Sequence, residues 1–264
     1  MAIVANTFTR YSAIGIREDL SNVIYNISPE ETPFISNIGR ENVKNTYFEW
    51  QTDALAAASA SNAALEGDDI SSFTAVTPTS RVGNYTQIST KNVVISGTLE
   101  SVDKAGRRSE LTYQLAKLGS ELKRDMEAAL LANQAAVAGN TTTARRTAGL
   151  PAWLTSNTSF GSGGANPTVG STPTAARTDG TQRAFTETLL KNVIQSVWTQ
   201  GGTPKMLMVG PFNKTVASGF TGIATRFRDV PAGQQAQIVG AADVYVSDFG
   251  TVNIVPNRFQ RDRD

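Results

Sequence analysis

Cysteine and histidine are both missing from the 264 residues. Without histidine there is no Ser-His-Asp or Cys-His nucleophile system, no imidazole base, and no His-containing zinc or non-haem iron site. Without cysteine there are no disulfides, thiolate metal sites, iron–sulfur clusters or thiol chemistry. Charge is also sparse: charged residues make up 18% of the chain, against about 25% in ordinary globular domains. Lys plus Arg (24) and Asp plus Glu (23) leave a net charge of +1, which predicts no overall attraction to nucleic acid or anionic membranes. A surface so nearly neutral agrees with self-association, and equally with a neutral monomer. No apolar stretch approaches the roughly 18 residues of a membrane span, and Met1 to Asn6 lack a basic n-region and a sustained apolar run. The sequence therefore points to a cytosol-like, reducing compartment. A chain of this length buries roughly 70–75% of its unfolded surface in one or two domains, so its core needs no covalent staple. Carboxylates, lysines, arginines, hydroxyls and backbone amides are what remain for chemistry.

Hydrophobic spacing organises the chain into an α+β pattern. Arg17 to Ile27 places Leu20, Val23, Ile24 and Ile27 at helical spacing, and Pro29 stops it. Pro29 and Pro33 predict a stiff extended or turn segment that delivers Phe34, Ile35 and Ile38 to a packing surface. Tyr47 to Gln51 reads as a strand. The alanine-rich stretch Asp53 to Asp69 has helix propensity but few large apolar side chains to anchor a helix. Phe73 to Ser80 and Val82 to Ser96 alternate β-branched and aromatic residues. Residues 42–97 thus read as an extended β-rich excursion with little core of its own, stabilised by something outside itself.

The strongest element is a helix over Ser109 to Val137, roughly 40 Å long, with Leu111, Leu115, Leu118, Leu122, Met126 and Leu130 in a stripe. Lys117–Glu121 and Lys123–Glu127 stand at i,i+4, and the stripe is expected to pack into the core. Ser159 to Thr181, rich in Gly, Ser, Thr and Pro, has the composition of a mobile surface loop. A second amphipathic helix covers Phe185 to Gln200 and ends at Gly201-Gly202. Met206 to Gly210 is a short buried strand, with Pro211 opening a helix through Phe220. Asp243 to Ser247 and Thr251 to Val255 read as a hairpin around Asp248-Phe249-Gly250. That triplet invites a kinase reading, but it sits between two strands in a chain lacking the rest of the kinase signature.

The candidate chemical residues do not converge. Glu66-Gly67-Asp68-Asp69 is acidic but lacks the alternating ligand spacing of a calcium loop. Asp262 and Asp264 alternate with Arg261 and Arg263 and are expected to neutralise them at an exposed end. Glu121, Asp125 and Glu127 lie beside Lys and Arg, the pattern of a solvated or interface face. Gly161-Ser162-Gly163-Gly164 lacks the preceding strand and following Lys-Ser/Thr of a phosphate loop. Arg145-Arg146 and Arg226-Phe227-Arg228 are small basic sites for which the net charge gives little support as nucleic-acid contacts. No catalytic, cofactor-binding or metal residue is assigned, and no cofactor is expected.

Several segments, taken in order, carry a family likeness. They are Ser28-Pro29-Glu30-Glu31-Thr32-Pro33-Phe34-Ile35-Ser36, Phe48-Glu49-Trp50-Gln51-Thr52-Asp53-Ala54-Leu55, Glu66-Gly67, Asn84-Tyr85-Thr86-Gln87-Ile88 and Val94-Ile95-Ser96-Gly97-Thr98. Glu121-Leu122-Lys123-Arg124-Asp125-Met126-Glu127, Ser247-Asp248-Phe249-Gly250 and Asn257-Arg258 complete the set. With these the chain resembles the major capsid proteins of tailed bacteriophages, in particular the podovirus-type family of an elongated-head coliphage. Each motif alone is weak; their order over nearly the whole chain is fairly specific.

The resemblance implies the Hong Kong-type capsid fold shared with herpesvirus floor domains and encapsulins. On that layout residues 1–41 are an N-terminal arm, 42–97 an extended β-hairpin loop, 98–140 a peripheral domain with a spine helix, and 141–240 an axial domain. Residues 241–264 are a β return toward the peripheral domain. Because family members continue past the Asn257-Arg258 region with further β structure, either the chain is truncated at its C-terminus, which is the expectation, or its sheet is completed differently. No long charged helix precedes the arm, so a fused scaffolding domain is not expected. The implied function is self-assembly, as hexamers and pentamers, into an icosahedral or elongated head shell around double-stranded DNA, with no enzymatic activity. The implied partners are other copies, a portal protein, a separate scaffolding or decoration protein, and packaged DNA contacted nonspecifically, without a membrane. The implied location is the virion, after assembly in the host bacterial cytoplasm. An encapsulin-like nanocompartment shell, another phage structural protein of tail or decoration type, and a carboxylate-metal enzyme are the competing readings.

Overall fold

The computed structural model describes residues 24, 31–67, 69, 73, 75–220 and 243–261. The predicted helix over Arg17 to Ile27, apart from Ile24, lies outside them, as do Asp68, the Arg226-Phe227-Arg228 site and residues 262–264. Helices and strands are mixed, as expected of an α+β chain, and the chain divides into two compact units. One comprises residues 1–30 and 91–121, the other residues 31–90 and 122–264.

In the first unit, α2 (Gly97–Ser101) starts where the Ser96 hydroxyl accepts from the Leu99 amide. Lys104 Nζ closes its other end by donating to the carbonyls of Leu99, Glu100 and Val102 at 2.9–3.0 Å. Those are carbonyls that a helix C-terminus leaves without an internal partner. The Glu100 carboxylate accepts from the Glu110 and Leu111 amides, where the long helix α3 (Glu110–Leu131) begins.

Helix α3 belongs to both units and is shorter than predicted, 22 residues or about 33 Å. The alanine-rich continuation leaves the helix because its amides are used elsewhere. Ala136 donates to Pro173 O at 2.8 Å, and Val137 exchanges both backbone bonds with Arg146. Tertiary pairing here overrides the helix propensity of alanine.

The expectation that the leucine stripe fills the core is corrected. Leu111, Leu115 and Met126 are exposed and Leu118, Leu122 and Leu130 only half-buried, whereas the buried residues of α3 are Glu110, Glu127 and Leu131. In the C-terminal half the inward face is set by Glu127 and Leu131, four apart. It is turned by one residue, about 100°, from the face that carries Met126.

In the second unit, α1 (Pro33–Asn37) replaces the extended segment predicted there, with Pro33 at its first position and Thr32 ahead of it making no side-chain cap. Ile35 is buried, while Ile38 stays exposed. Strands β1 (Tyr47–Thr52) and β2 (Ser80–Tyr85) form an antiparallel hairpin from Tyr47↔Tyr85 to Thr52↔Ser80. The β pattern predicted on to Ser96 ends at Tyr85, since β1 supplies only six partners; Ile88 and Val94 are exposed.

The hairpin's base is well held. Gly83 packs so closely on the Tyr47 ring that a Cβ would lie 2.6 Å from it, and its amide donates to Ser171 O at 2.7 Å. Asn84 is buried and accepts from the Ala148 amide at 3.0 Å. Nearby, Ala136, Ala148 and Ala152 form a small core under Tyr85 and Trp153.

The main core lies against a three-stranded sheet in the order β3-β5-β4. Strand β3 (Met206–Val209) runs parallel to β5 (Gly250–Pro256), and β4 (Val244–Ser247) pairs antiparallel with β5 through the Asp248-Phe249 turn. Leu190 and Ile194 of α4 (Glu187–Thr199) meet Tyr245, Val252 and Ile254 there, with Ala217 from α5 (Pro211–Ser218). These elements stand where the spacing predicted them. Thr186 caps α4, Gly201 follows it at φ 86°, and Pro211 opens α5.

Residues 159–181 are tied down, against the expectation of a loose loop. Ala165 and Thr178 exchange backbone bonds, Pro173 is fully buried, and the Asn133 side chain both donates to and accepts from the Arg177 backbone.

Candidate functional site

The residues weighed for chemistry stay apart. Among the described residues no three acidic side chains gather as a metal site, and no helix is long and apolar enough to cross a membrane. The Gly161 to Gly164 run is a close-packed crossing: a Cβ on Gly161 would stand 1.9 Å from Thr181 O, so no cradle for a phosphate opens there. Arg146 Nε donates to the Ala135 carbonyl at 3.3 Å. Arg261 has a partner in the described residues, its guanidinium gripping Asp179 at 2.5 Å while only partly exposed; the expected pairing with Asp262 and Asp264 lies outside them.

A cleft of about 440 Å³ lies between α4 and the β4–β5 turn. Three of its polar groups satisfy one another, Tyr245 Oη donating to Glu187 Oε1 at 3.1 Å and Lys191 Nζ lying 2.8 Å from the same oxygen. Burial, then the bond to Glu187, pushes the Tyr245 phenol up, and Glu187 pushes Lys191 up, so both keep their protons. This pattern stabilises the edge of the sheet and offers no activated nucleophile.

The unexpected polar centre is Glu127. Its side chain is completely buried, and the Lys123–Glu127 surface pair does not form because the carboxylate turns inward. Oε1 accepts from the Phe34 amide at 2.7 Å and from Asn257 Nδ2 at 2.7 Å, and Oε2 accepts from the Ile35 amide at 2.8 Å. Asn257, 1% exposed, is itself fixed: its amide donates to Val209 O at 2.8 Å, and its Oδ1 accepts from the Phe259 amide at 2.8 Å. Among the described residues no cation reaches ion-pair distance of Glu127, so three N–H donors carry the charge. Short bonds to an ionised acceptor are each worth about 1.5–3 kcal/mol, and losing them would leave a buried carboxylate uncompensated.

The charge pattern placed Glu127 on a solvated or interface face and gave Asn257 no role. Both stood inside segments quoted for the family likeness, as did Phe34 and Ile35; that coincidence was the available signal.

The other conspicuous feature is uncovered apolar surface. On the loop between β1 and β2, Leu55 is 100% exposed and Phe73 88%, with Leu65 and Val76 similarly open. Leu111 and Leu115 on α3 and Phe212 at the start of α5 add to it. Exposed apolar side chains gathered on one loop are surface available to another macromolecule.

Comparison with known proteins agrees with that chemistry. A model of the SU10 major capsid protein family matches residues 3–264. The major capsid protein of Escherichia phage Phieco32 is 42% identical over 128 residues, which are 48% of this chain and 36% of that protein. The match thus spans about a third of that relative's length.

Proposed function

Because the chain belongs to the SU10 major capsid protein family, we propose that it is a shell subunit whose work is self-assembly, a structural protein and not an enzyme. The observation that carries this reading is the exposure of Leu55, Leu65, Phe73 and Val76 in the connection between β1 and β2, with no cover among the described residues. Such a segment gains stability when another copy buries it, and each stable contact between copies needs at least about 1,000 Å².

We assign the Hong Kong-type capsid fold, with the arm at 1–41, the extended loop at 42–97, the peripheral domain at 98–140, the axial domain at 141–240 and the β return at 241–264. The hairpin followed by a long helix and a mixed sheet supports that order. Copies related by heterologous contacts close into hexamers, pentamers and then an icosahedral or elongated shell. The shell encloses double-stranded DNA, touched without sequence reading, and takes a portal and a separate scaffolding or decoration protein as partners. The subunit belongs to the virion and assembles in the host bacterial cytoplasm.

Thr52 and Ser80 are paired across the hairpin, so residues 53–79 can be replaced by a two-residue Asn-Gly turn without disturbing β1 or β2. The shortened chain is expected to fold and stay soluble while forming no shells in negative-stain micrographs. Normal shells from that variant would overturn the proposal.

A further inference from the structure

Residues 31–41 are held to the rest of the second unit by very little. Ile35 is their one buried side chain among the described residues. The remaining bonds of this stretch are internal: Ser36 N and Oγ to Thr32 O, Ile38 N to Phe34 O, and Asn37 Nδ2 to Pro33 O. Among the described residues, the hydrogen bonds that reach outside it are the two from the Phe34 and Ile35 amides to Glu127. Thr32 makes no cap for α1, so a carboxylate more than ninety positions away satisfies the donors that a local cap would normally serve.

We propose that Glu127 is the positioning residue of the N-terminal arm: its carboxylate fixes the place and angle of residues 31–41 on α3 and thereby sets the geometry in which subunits assemble. The consequence for assembly rests on the shell-forming reading above; the anchoring itself does not.

The geometry supports a positioning role over mere filling. An isoleucine contact tolerates sliding and rotation, whereas two adjacent amides bound to the two oxygens of one carboxylate define both position and orientation. The carboxylate is in turn held from the opposite side. Asn257 Nδ2 donates to Oε1, and Asn257 is locked to the end of β3 through Val209 O. Residues 31–41, α3 and the exit of β5 are therefore registered on a single side chain. A deviation there is carried to whatever the arm contacts, while the β3-β5-β4 core, built from other residues, is left intact.

Glu127→Gln tests this directly. The amide keeps the size but offers one acceptor oxygen and turns an NH₂ group toward donors. The expected result is a cooperative fold with a lowered melting transition, hydrogen exchange at the Phe34 and Ile35 amides faster by roughly tenfold or more relative to the amides of the β3-β5-β4 sheet, and shells that are absent or of scattered size at a temperature where the variant is folded. A stability effect alone would speed exchange across the sheet as well and would not single out those two amides. Unchanged exchange at those two amides overturns the anchor. Faster exchange with shells of wild-type size and yield overturns the role in assembly. Wild-type chain that forms no shells, while Glu127→Gln loosens the two amides, overturns the shell-forming reading and upholds the anchor. If Glu127→Gln does not fold, Asn257→Ala carries the test. It leaves both amide bonds possible but frees the carboxylate's rotamer, so exchange at Phe34 and Ile35 should rise several-fold, and no rise overturns the anchor.

Discussion

Truncating the α3 stripe separates two kinds of leucine. A leucine fully buried on folding contributes about 1.5–3 kcal/mol. Leu115 keeps 55% of its surface exposed within the protomer, so Leu115→Ala should cost at most about 1 kcal/mol, partly offset by the better helix propensity of alanine. Leu111, also exposed, should behave alike. At Leu131, on the buried face of the same helix and 2% exposed, the same change removes packed atoms and should cost about 2–5 kcal/mol. Thermal unfolding of soluble protein reads this first difference. Leu115→Ala should shift the midpoint by no more than about 4 °C, and Leu131→Ala by at least twice that. Assembly reads the second. If another copy covers Leu115, the half of its surface still wet in the monomer is worth about 1 kcal/mol per contact, close to fivefold in each association constant. Those factors compound over a shell. The Leu111→Ala/Leu115→Ala pair should therefore raise the concentration at which light scattering shows assembly, by tenfold or more. Unfolding of Leu115→Ala as severe as that of Leu131→Ala would refute the reasoning, and so would an unchanged assembly threshold in the double variant.

Three further expectations concern the fold itself. Gly149→Ala would place a Cβ 1.9 Å from the carbonyl oxygen of Ala132, so backbone must move, at a cost of about 1–3 kcal/mol in denaturant unfolding. Gly119→Ala on α3 meets nothing within 4 Å and should stabilise the chain by about 0.5–1 kcal/mol. The Glu110 carboxyl is held below its ordinary range by the Gln114 side chain and then by Arg107, and Glu100 by Ser109 and then the Leu111 and Glu110 amides. With both folded-state values lowered, their stabilisation is complete above the ordinary carboxylate range and is lost as pH falls through the lowered values. Melting followed from pH 7 down to pH 3 should show that loss, and Glu100→Gln/Glu110→Gln should flatten it; an identical pH profile in the double variant would exclude these carboxyls as its source.

The sheet-forming half of the chain was legible because its local signals and tertiary demands agree. Thr186, Gly201 and Pro211 mark helix ends that the structure keeps, and alternation marks β4 and β5 with their turn. Around α3 the two conflict. A leucine stripe normally means core, yet Leu111 and Leu115 lie on the surface of this chain; the spacing alone does not say which apolar residues a chain buries within itself. The helix also ends at Leu131 because Pro173 and Arg146, distant in sequence, claim the amides of Ala136 and Val137. The segment at 159–181 misled for a related reason. Its glycines permit close backbone crossings as readily as flexibility, and Gly161 against Thr181 uses them for the first.

Glu127 was illegible for a deeper reason. Hydrophobic periodicity grades a carboxylate as surface, and only tertiary donors can make the interior acceptable to it. Those donors come from Phe34, Ile35 and Asn257, more than ninety positions away on either side. The segment Glu121 to Glu127 consequently does two unlike things within one turn of helix. Met126 faces outward, available to another surface, while Glu127, rotated by about 100°, closes an internal knot. Likeness along that segment is therefore not evidence for contacts between copies. Of two adjacent residues in it, one is left on the surface and the other is spent on holding the fold together.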